Sequence, residues 1–525
     1  MPRLNDVNCT DLADAIRLGC RTMESVFNAD DDDIPFFSSV VLPHAELRFC
    51  DCHSEAHVPG RHLNALLTAE DIVGVAVEED AVAKHRRAAL FSYGGTRPLP
   101  LNRQEIGGAL VNFCPHNLRE GFHALYALAR FRGDDEACAL AKRSVATILD
   151  LWSAEHGWRT EQIEAAGLRL QAYRGFIHGE GRMLGPLVKL YRTTGSDGTL
   201  ELLLVCVDKA CREFFFADGS FDAQRFQTRH IHSITSVLSS LAQAAELLQD
   251  ASLMARVHAF YQNGLWAMRD ALGWSPEAIG QEDSDHGESN ITGDILETTL
   301  ILGRHGYTPA YEDAERILRG HLLPSQLRDT SFIVEPDNPD GCDGLRDMAA
   351  RHRGAFGFPA PYGHVSVGKG RKAVSFNMDI VGGTVASLCE AYAAVVTEEP
   401  AGHRLNLLFD AETDAVRVRS PYTHDVLHID VKKSGPLHIR IPSWLDREDI
   451  SVSGAPREPL WRDDTVLLPD CKPGDGIVLR FPLKEETITL SGDLHIQPIR
   501  VRLQGDAVVA MDNFGADLTY FPEDV

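Results

Sequence analysis

The densest group of titratable side chains in this 525-residue chain is QEDSDHGESN at 281–290, which holds Glu282, Asp283, Asp285, His286 and Glu288. Such a cluster can supply an acid and a base. Cleavage of a glycosidic bond requires that pairing, with one carboxyl protonating the leaving oxygen while a second attacks or activates water. Asp283 and Asp285 read as a solvated acidic loop. Glu288 differs, because it stands just before NITGDILETTLILG, a helix whose first turn would direct it inward, and it is either a site residue or part of the same solvated loop. His178, in RGFIHGEGRMLGPL, stands ahead of an apolar helix beside Glu180 and Arg182. RHIHSITSVL repeats that arrangement, with His230 and His232 heading a helix whose apolar face uses Ile234, Leu238 and Leu241. Each histidine is either a pocket residue or a satisfied structural one. RGAFGFPAPYGHV at 353–365 offers Phe356, Phe358 and Tyr362, as platforms for a sugar ring or as parts of a turn. Met378 and Asp379, in SFNMDIVGGTVASL, precede another helix, where Asp379 is a site candidate or only a cap. No phosphate loop, dinucleotide GxGxxG, GxSxG elbow or HExxH is present, so nucleotide, hydride, acyl-transfer and zincin chemistry lose their usual signals.

The elements that must position these residues are mostly helical. Apolar residues recur at three- and four-residue spacing from about residue 10 to 395, as in GFHALYALARF at 121–131 and SITSVLSSLAQAAELLQD at 233–250. Turns with Gly and an aromatic (HGW at 156–158, ADGSF at 217–221, LGW at 272–274) punctuate the run at intervals that hold two helices and their loops. Helix hairpins are therefore the building unit, and about six fit. Closed in a ring they give an (α/α)6 barrel with one common mouth; an open solenoid is the competing arrangement. After about residue 400 the period falls to two, in LHIRIP, ISVSG, TVLLP, GIVLRFP and IRVRLQG, which predicts a C-terminal β-sandwich. The composition shifts across 396–404, placing a barrel domain at 1–398 and a β domain at 399–525.

Hydrophobic residues at 44% and charged residues at 24% exclude a disordered or collagenous chain. A formal charge of −25 repels polyanions and argues against nucleic acid, while a neutral sugar feels little of it. The N-terminus lacks a basic stretch followed by an apolar run, and no 18-residue apolar segment is expected, so the chain reads as cytoplasmic and free of membranes. Eleven cysteines without a CxxC pair suit reduced thiols, and the closest pair, Cys50 and Cys52, reads as structural.

The sandwich opens with LHIRIPSWLDREDISVSGAP, which resembles glycoside hydrolase family 127, the β-L-arabinofuranosidase-like proteins. IRIPSW followed by SVSG carries the likeness, helped by GDAVVAMDN at 505–513 and PGRHLNALL at 59–67. In that family a Glu-x-Cys and a later Cys-Cys pair hold zinc and provide a cysteine nucleophile. Here Glu288, Ser289 and Asn290 keep the glutamate and lose the cysteine, and no cysteine stands around Asn377, Met378 and Asp379. With the soft ligands gone, no zinc or other cofactor is expected. The resemblance then implies carboxylate catalysis by Glu288 or Asp379, or a barrel that binds without cutting. It also implies an upstream acid/base at Glu277 or Glu282, and a sugar pocket lined by His178, His230 and His232, with Arg182, Phe358 and Tyr362 as further candidates. The resulting expectation is an exo-acting glycosidase on a carbohydrate substrate, forming a homodimer through its β region. A sugar epimerase or lyase and a silent carbohydrate-binding protein are the alternatives. A uronate substrate would call for Arg182, Arg346 or Arg353 in the pocket.

Overall fold

The computed structural model describes residues 3–281, 285–368 and 373–523. Among these, twelve helices form two concentric rings: α1 (Leu12–Met23), α2 (Val58–Val73), α3 (Glu79–Ser92), α4 (Leu118–Arg132), α5 (Asp135–Leu151), α6 (Leu184–Thr194), α7 (Asp197–Glu213), α8 (Ile231–Leu248), α9 (Ala251–Gln262), α10 (Ser289–Arg304), α11 (Pro309–Ile317) and α12 (Met378–Val395). The even-numbered helices touch in order, and α12 returns to α2, so the ring is closed rather than an open solenoid. Five hairpins follow one another along the chain. The sixth outer place is filled by α1, which packs on α12 and α2. The expectation of six successive hairpins is corrected there, because ring closure joins the first helix to the last, a pairing that no local repeat reveals.

Inner helices are surrounded and therefore apolar on nearly every side; α8 is buried continuously from Ile231 to Ala245. Contrary to the sequence expectation, α12 is long and apolar enough to cross a membrane, but 72% of it is buried as a wall of the barrel. Side-chain caps occur in the outer ring alone, at three of its six helices. Asp11, Asp134 and Asp250 cap the outer helices α1, α5 and α9 through their side chains. At the inner helices α2, α4, α8, α10 and α12 the cap residues His57, Asn117, His230, Glu288 and Asn377 make no such bond. Those side chains are left for other work. Where α2 crosses α4, a Cβ on Gly60 would overlap the Glu120 carbonyl oxygen, so this glycine sets the spacing of the two helices. Gly60→Ala is expected to cost about 1–3 kcal/mol by overpacking, measured by urea unfolding; an unchanged midpoint would show that the helices can separate freely.

Short strand pairs and one three-stranded sheet lie in the connections of the barrel, and the continuous run of strands begins directly where α12 ends. Two five-stranded sheets form a sandwich, one built on Gly435–Arg440 and Thr465–Cys471, the other on Leu427–Val431 and Gly476–Arg480. Alternate residues such as Leu427, Ile429, Ile477 and Leu479 fill its core. Arg319 ties barrel to sandwich, lying between the rings of Phe409 and Tyr422 at 3.7 Å from each and donating to the Leu408 carbonyl at 2.7 Å. The last three strands, Glu485–Leu490, Ile499–Gln504 and Ala507–Met511, leave the sandwich as a separate sheet. They pack with Leu272, Leu327, Tyr362 and Phe376 in a second core.

Candidate active site

The heads of the inner helices converge on a cavity of about 740 Å³, lined by His53, His57, Arg61, His116, His178, His230, His232, Glu277, Glu288, Phe358, Asn377 and Asp379 among others. Inner-helix N-termini place positive dipole ends there, which favours ionised carboxylates.

Glu288, the cap residue of α10, is almost entirely buried. Its Oε1 accepts from the Asn290 amide at 2.6 Å and lies 3.2 Å from Nδ1 of His232, and its Oε2 lies 3.6 Å from Nε2 of His230. Burial pushes this carboxyl up, but the two imidazoles outweigh burial and hold it well below the usual carboxylate range. The same Nε2 of His230 is 3.6 Å from Glu277, so one imidazole stands between two carboxylates. Asp379, in the first turn of α12, does not act as a cap. Its Oδ2 lies 3.2 Å from both Nε2 of His57 and a guanidinium nitrogen of Arg61, and its Oδ1 has no hydrogen-bond partner among the described residues.

Beneath the cavity the charges are neutralised in pairs. Glu120 on α4, fully buried, accepts from Arg61 at 3.1 Å and from Arg182 at 3.0 Å. Burial opposes its ionisation, yet His57, Arg182, Arg61 and Arg119 hold it well below the ordinary range. Arg119 donates to Asp294 at 3.0 Å, and burial, partly offset by Arg119, raises that aspartate to about 6.

Seven of the candidates named from sequence meet at this cavity: Glu277, Glu288, Asp379, His178, His230, His232 and Phe358. Glu282 lies outside the described residues. Arg182 does not reach the cavity, because Glu120 and Ser233 take its guanidinium below. Tyr362 is buried with its hydroxyl donating to Asp285 at 3.1 Å, so it is not a sugar platform. Asp285 is itself 1% exposed and corrects the solvated-loop reading. Arg346 pairs with Asp343 away from the cavity. Sequence reasoning missed His53, His57, Arg61, His116 and Glu120. A signal existed for the histidines, since HSEAHVPGRH at 53–62 and CPHNLREG at 114–121 also place His ahead of a helix. It read Cys52 as structural with Cys50, whereas Cys52 lines the cavity and a hydrogen bond from Cys50 lowers its thiol pKa.

Glu180 supports the turn that carries His178. It is buried, accepts from the Trp158 indole, and burial pushes it up to about 7. Its proton is retained in the folded chain up to that pH but lost from the unfolded chain near 4.5. Wild type therefore loses stability as pH rises through that window, and Glu180→Gln should gain on it between those limits. Unfolding midpoints of both proteins across that range check this, and a pH-independent difference would contradict it.

No protein-family model matches the sequence, and no curated protein does. Solved structures do match. A GH127 β-arabinofuranosidase superposes with TM-score 0.61 at 13% identity, over 96% of this chain and 83% of that one. The GH127 β-L-arabinofuranosidase of Geobacillus stearothermophilus T6 gives 0.55 at 13%, over 94% and 80%. A sugar epimerase from a ruminal bacterium gives 0.51 at 12%, over 73% and 99%. The chain thus has the fold of the GH127 glycosidases, an α/α barrel followed by a β domain. The zinc site implied by the resemblance does not fit: Asn290 hydrogen-bonds Glu288 where a thiolate would bind metal, and Asn377 and Met378 offer no thiolate.

Proposed function

We propose that the protein is an exo-acting glycoside hydrolase whose cavity takes a small terminal sugar unit. The observation that carries this reading is one cavity with three carboxylates in unlike surroundings, Glu277, Glu288 and Asp379, set in the fold of β-L-arabinofuranosidases. Its volume is that of a small-ligand pocket. The buried ion network closes the far end, so the substrate enters by the mouth alone.

Glu288, ionised, attacks the anomeric carbon or activates the water that does. Glu277 has a side chain 27% exposed and gives its proton to the departing oxygen; His230, between the two, can hold the proton that the acid needs. Asp379, held by His57 and Arg61, presents Oδ1, which has no partner among the described residues, to a sugar hydroxyl. No step uses a thiol. Incubation with a panel of aryl glycosides and plant or bacterial oligosaccharides should release a sugar from at least one, and Cys52→Ser should keep that rate within about threefold. Binding without turnover across the panel would favour a silent barrel, and a loss of about 100-fold in Cys52→Ser would move the nucleophile to sulfur.

A second reading, sugar epimerisation, is favoured by the imidazoles: burial depresses the basicity of His53 and His116, and holds His178 at about 3, leaving neutral bases in the cavity. Deuterium entering the sugar from solvent without a new reducing end would select it.

A further inference from the structure

Three imidazoles in the cavity wall have no part in the hydrolytic scheme beyond His57's hold on Asp379. His53 and His57 share one helical turn, in which the His57 N–H donates to the His53 carbonyl at 3.0 Å, and His116 comes from the turn before α4. One nitrogen from each lies within 4.8 Å of the other two. In every case Nδ1 is engaged by the protein. His116 Nδ1 donates to the His178 carbonyl at 2.9 Å. His57 Nδ1 faces the Asn117 oxygen at 3.0 Å, and that amide is oriented by its own donation to the Cys52 carbonyl at 2.7 Å. His53 Nδ1 meets Cys50 Sγ at 3.3 Å. Tying Nδ1 fixes each ring, as metal-binding histidines are held, and leaves Nε2 as the remaining ligand atom; at His57 that nitrogen lies 3.2 Å from Oδ2 of Asp379 and would exchange this contact for the ion. Neither His53 nor His116 has a carboxylate partner among the described residues, and Asp379, 3.2 Å from His57 Nε2, supplies nearby negative charge.

We propose that His53, His57 and His116 hold one divalent transition-metal ion of the Zn²⁺ class through Nε2, with the fourth position open to the cavity for water or a sugar hydroxyl. Three imidazoles and one open position are a familiar zinc set. This revises the expectation of a metal-free cavity, which rested on thiolates alone. His230, His232 and Glu288 also bring ligand atoms within 4.8 Å, but an ion there would displace several contacts, against the single Asp379 contact at His57: His232 lies between Glu288 and Asp294, and Glu288 accepts from Asn290.

The test uses the full chain stripped by a chelator and titrated with Zn²⁺ and Co²⁺. One ion per chain is expected. His53→Gln, His57→Gln and His116→Gln should each weaken it by about 100-fold or more, and Asn117→Ala by about 10- to 100-fold. Glu288→Gln should bind as wild type does. X-ray absorption of the zinc-loaded wild type, which needs no variant to fold, should show three imidazoles and no sulfur. Absence of stoichiometric binding, sulfur in the shell, or affinity lost in Glu288→Gln but kept in the three histidine variants overturns the proposal. These readouts are independent of turnover, so failure of the hydrolase reading would be seen separately.

Discussion

Glu288→Gln is expected to lower turnover of a responsive glycoside by about 1,000-fold while leaving its binding little changed. The amide matches the carboxylate in size and can still meet Asn290 and His232, so the pocket keeps its shape. What disappears is the negative charge, which matters only as positive charge develops at the anomeric carbon, so the loss falls on kcat rather than KM. Rates within about tenfold of wild type would remove Glu288 from the chemistry and leave Asp379 as the carboxylate to test.

The largest effect on stability is expected at Glu120, where Glu120→Gln should cost about 3–5 kcal/mol. This one carboxylate faces Arg61, Arg182 and His57 in a buried site, and Arg182 has no other anionic partner within ion-pair distance among the described residues. Removing it strands charges rather than merely deleting a bond. Because its folded-state pKa is depressed, its contribution is complete above the unfolded value near 4.5 and fades as pH falls through the folded one. The gap between variant and wild type should accordingly narrow in acid. Adding Arg182→Met should recover part of the loss, since it removes a cation left without its partner. A cost under about 1 kcal/mol, measured by urea unfolding at neutral pH, would mean that water reaches these charges.

What the sequence disclosed about this molecule follows from where each signal resides. Helical periodicity and its change to alternation near residue 400 are local, and both architectures appear. Glu288, Asp379, His178, His230 and His232 were legible because each sits at or near the head of an apolar helix, where a side chain has an end of the barrel to face. Arg61, Glu120 and Arg182 were not, at least as a network. Separated by 59 and 62 residues, they look like the polar face of ordinary helices, and only ring closure turns that face inward. The same closure explains why Arg182 went to Glu120 instead of a sugar. Tyr362 was misplaced for a related reason: Asp285, which looked solvated, is buried and takes the hydroxyl, with the N–H of Ile496, in the connection between two of the final strands, donating to the same carboxylate at 3.2 Å. Pairings between the two ends of a chain leave no mark in any short window.

A crystal structure of Glu288→Gln soaked with an oligosaccharide that wild type cleaves would go furthest in deciding the matter. The terminal sugar should sit in the cavity with its anomeric carbon facing residue 288, its leaving oxygen toward Glu277 and a hydroxyl on Asp379. Density for the sugar elsewhere on the protein, or a ring in the cavity whose anomeric carbon faces away from both glutamates, would contradict the account.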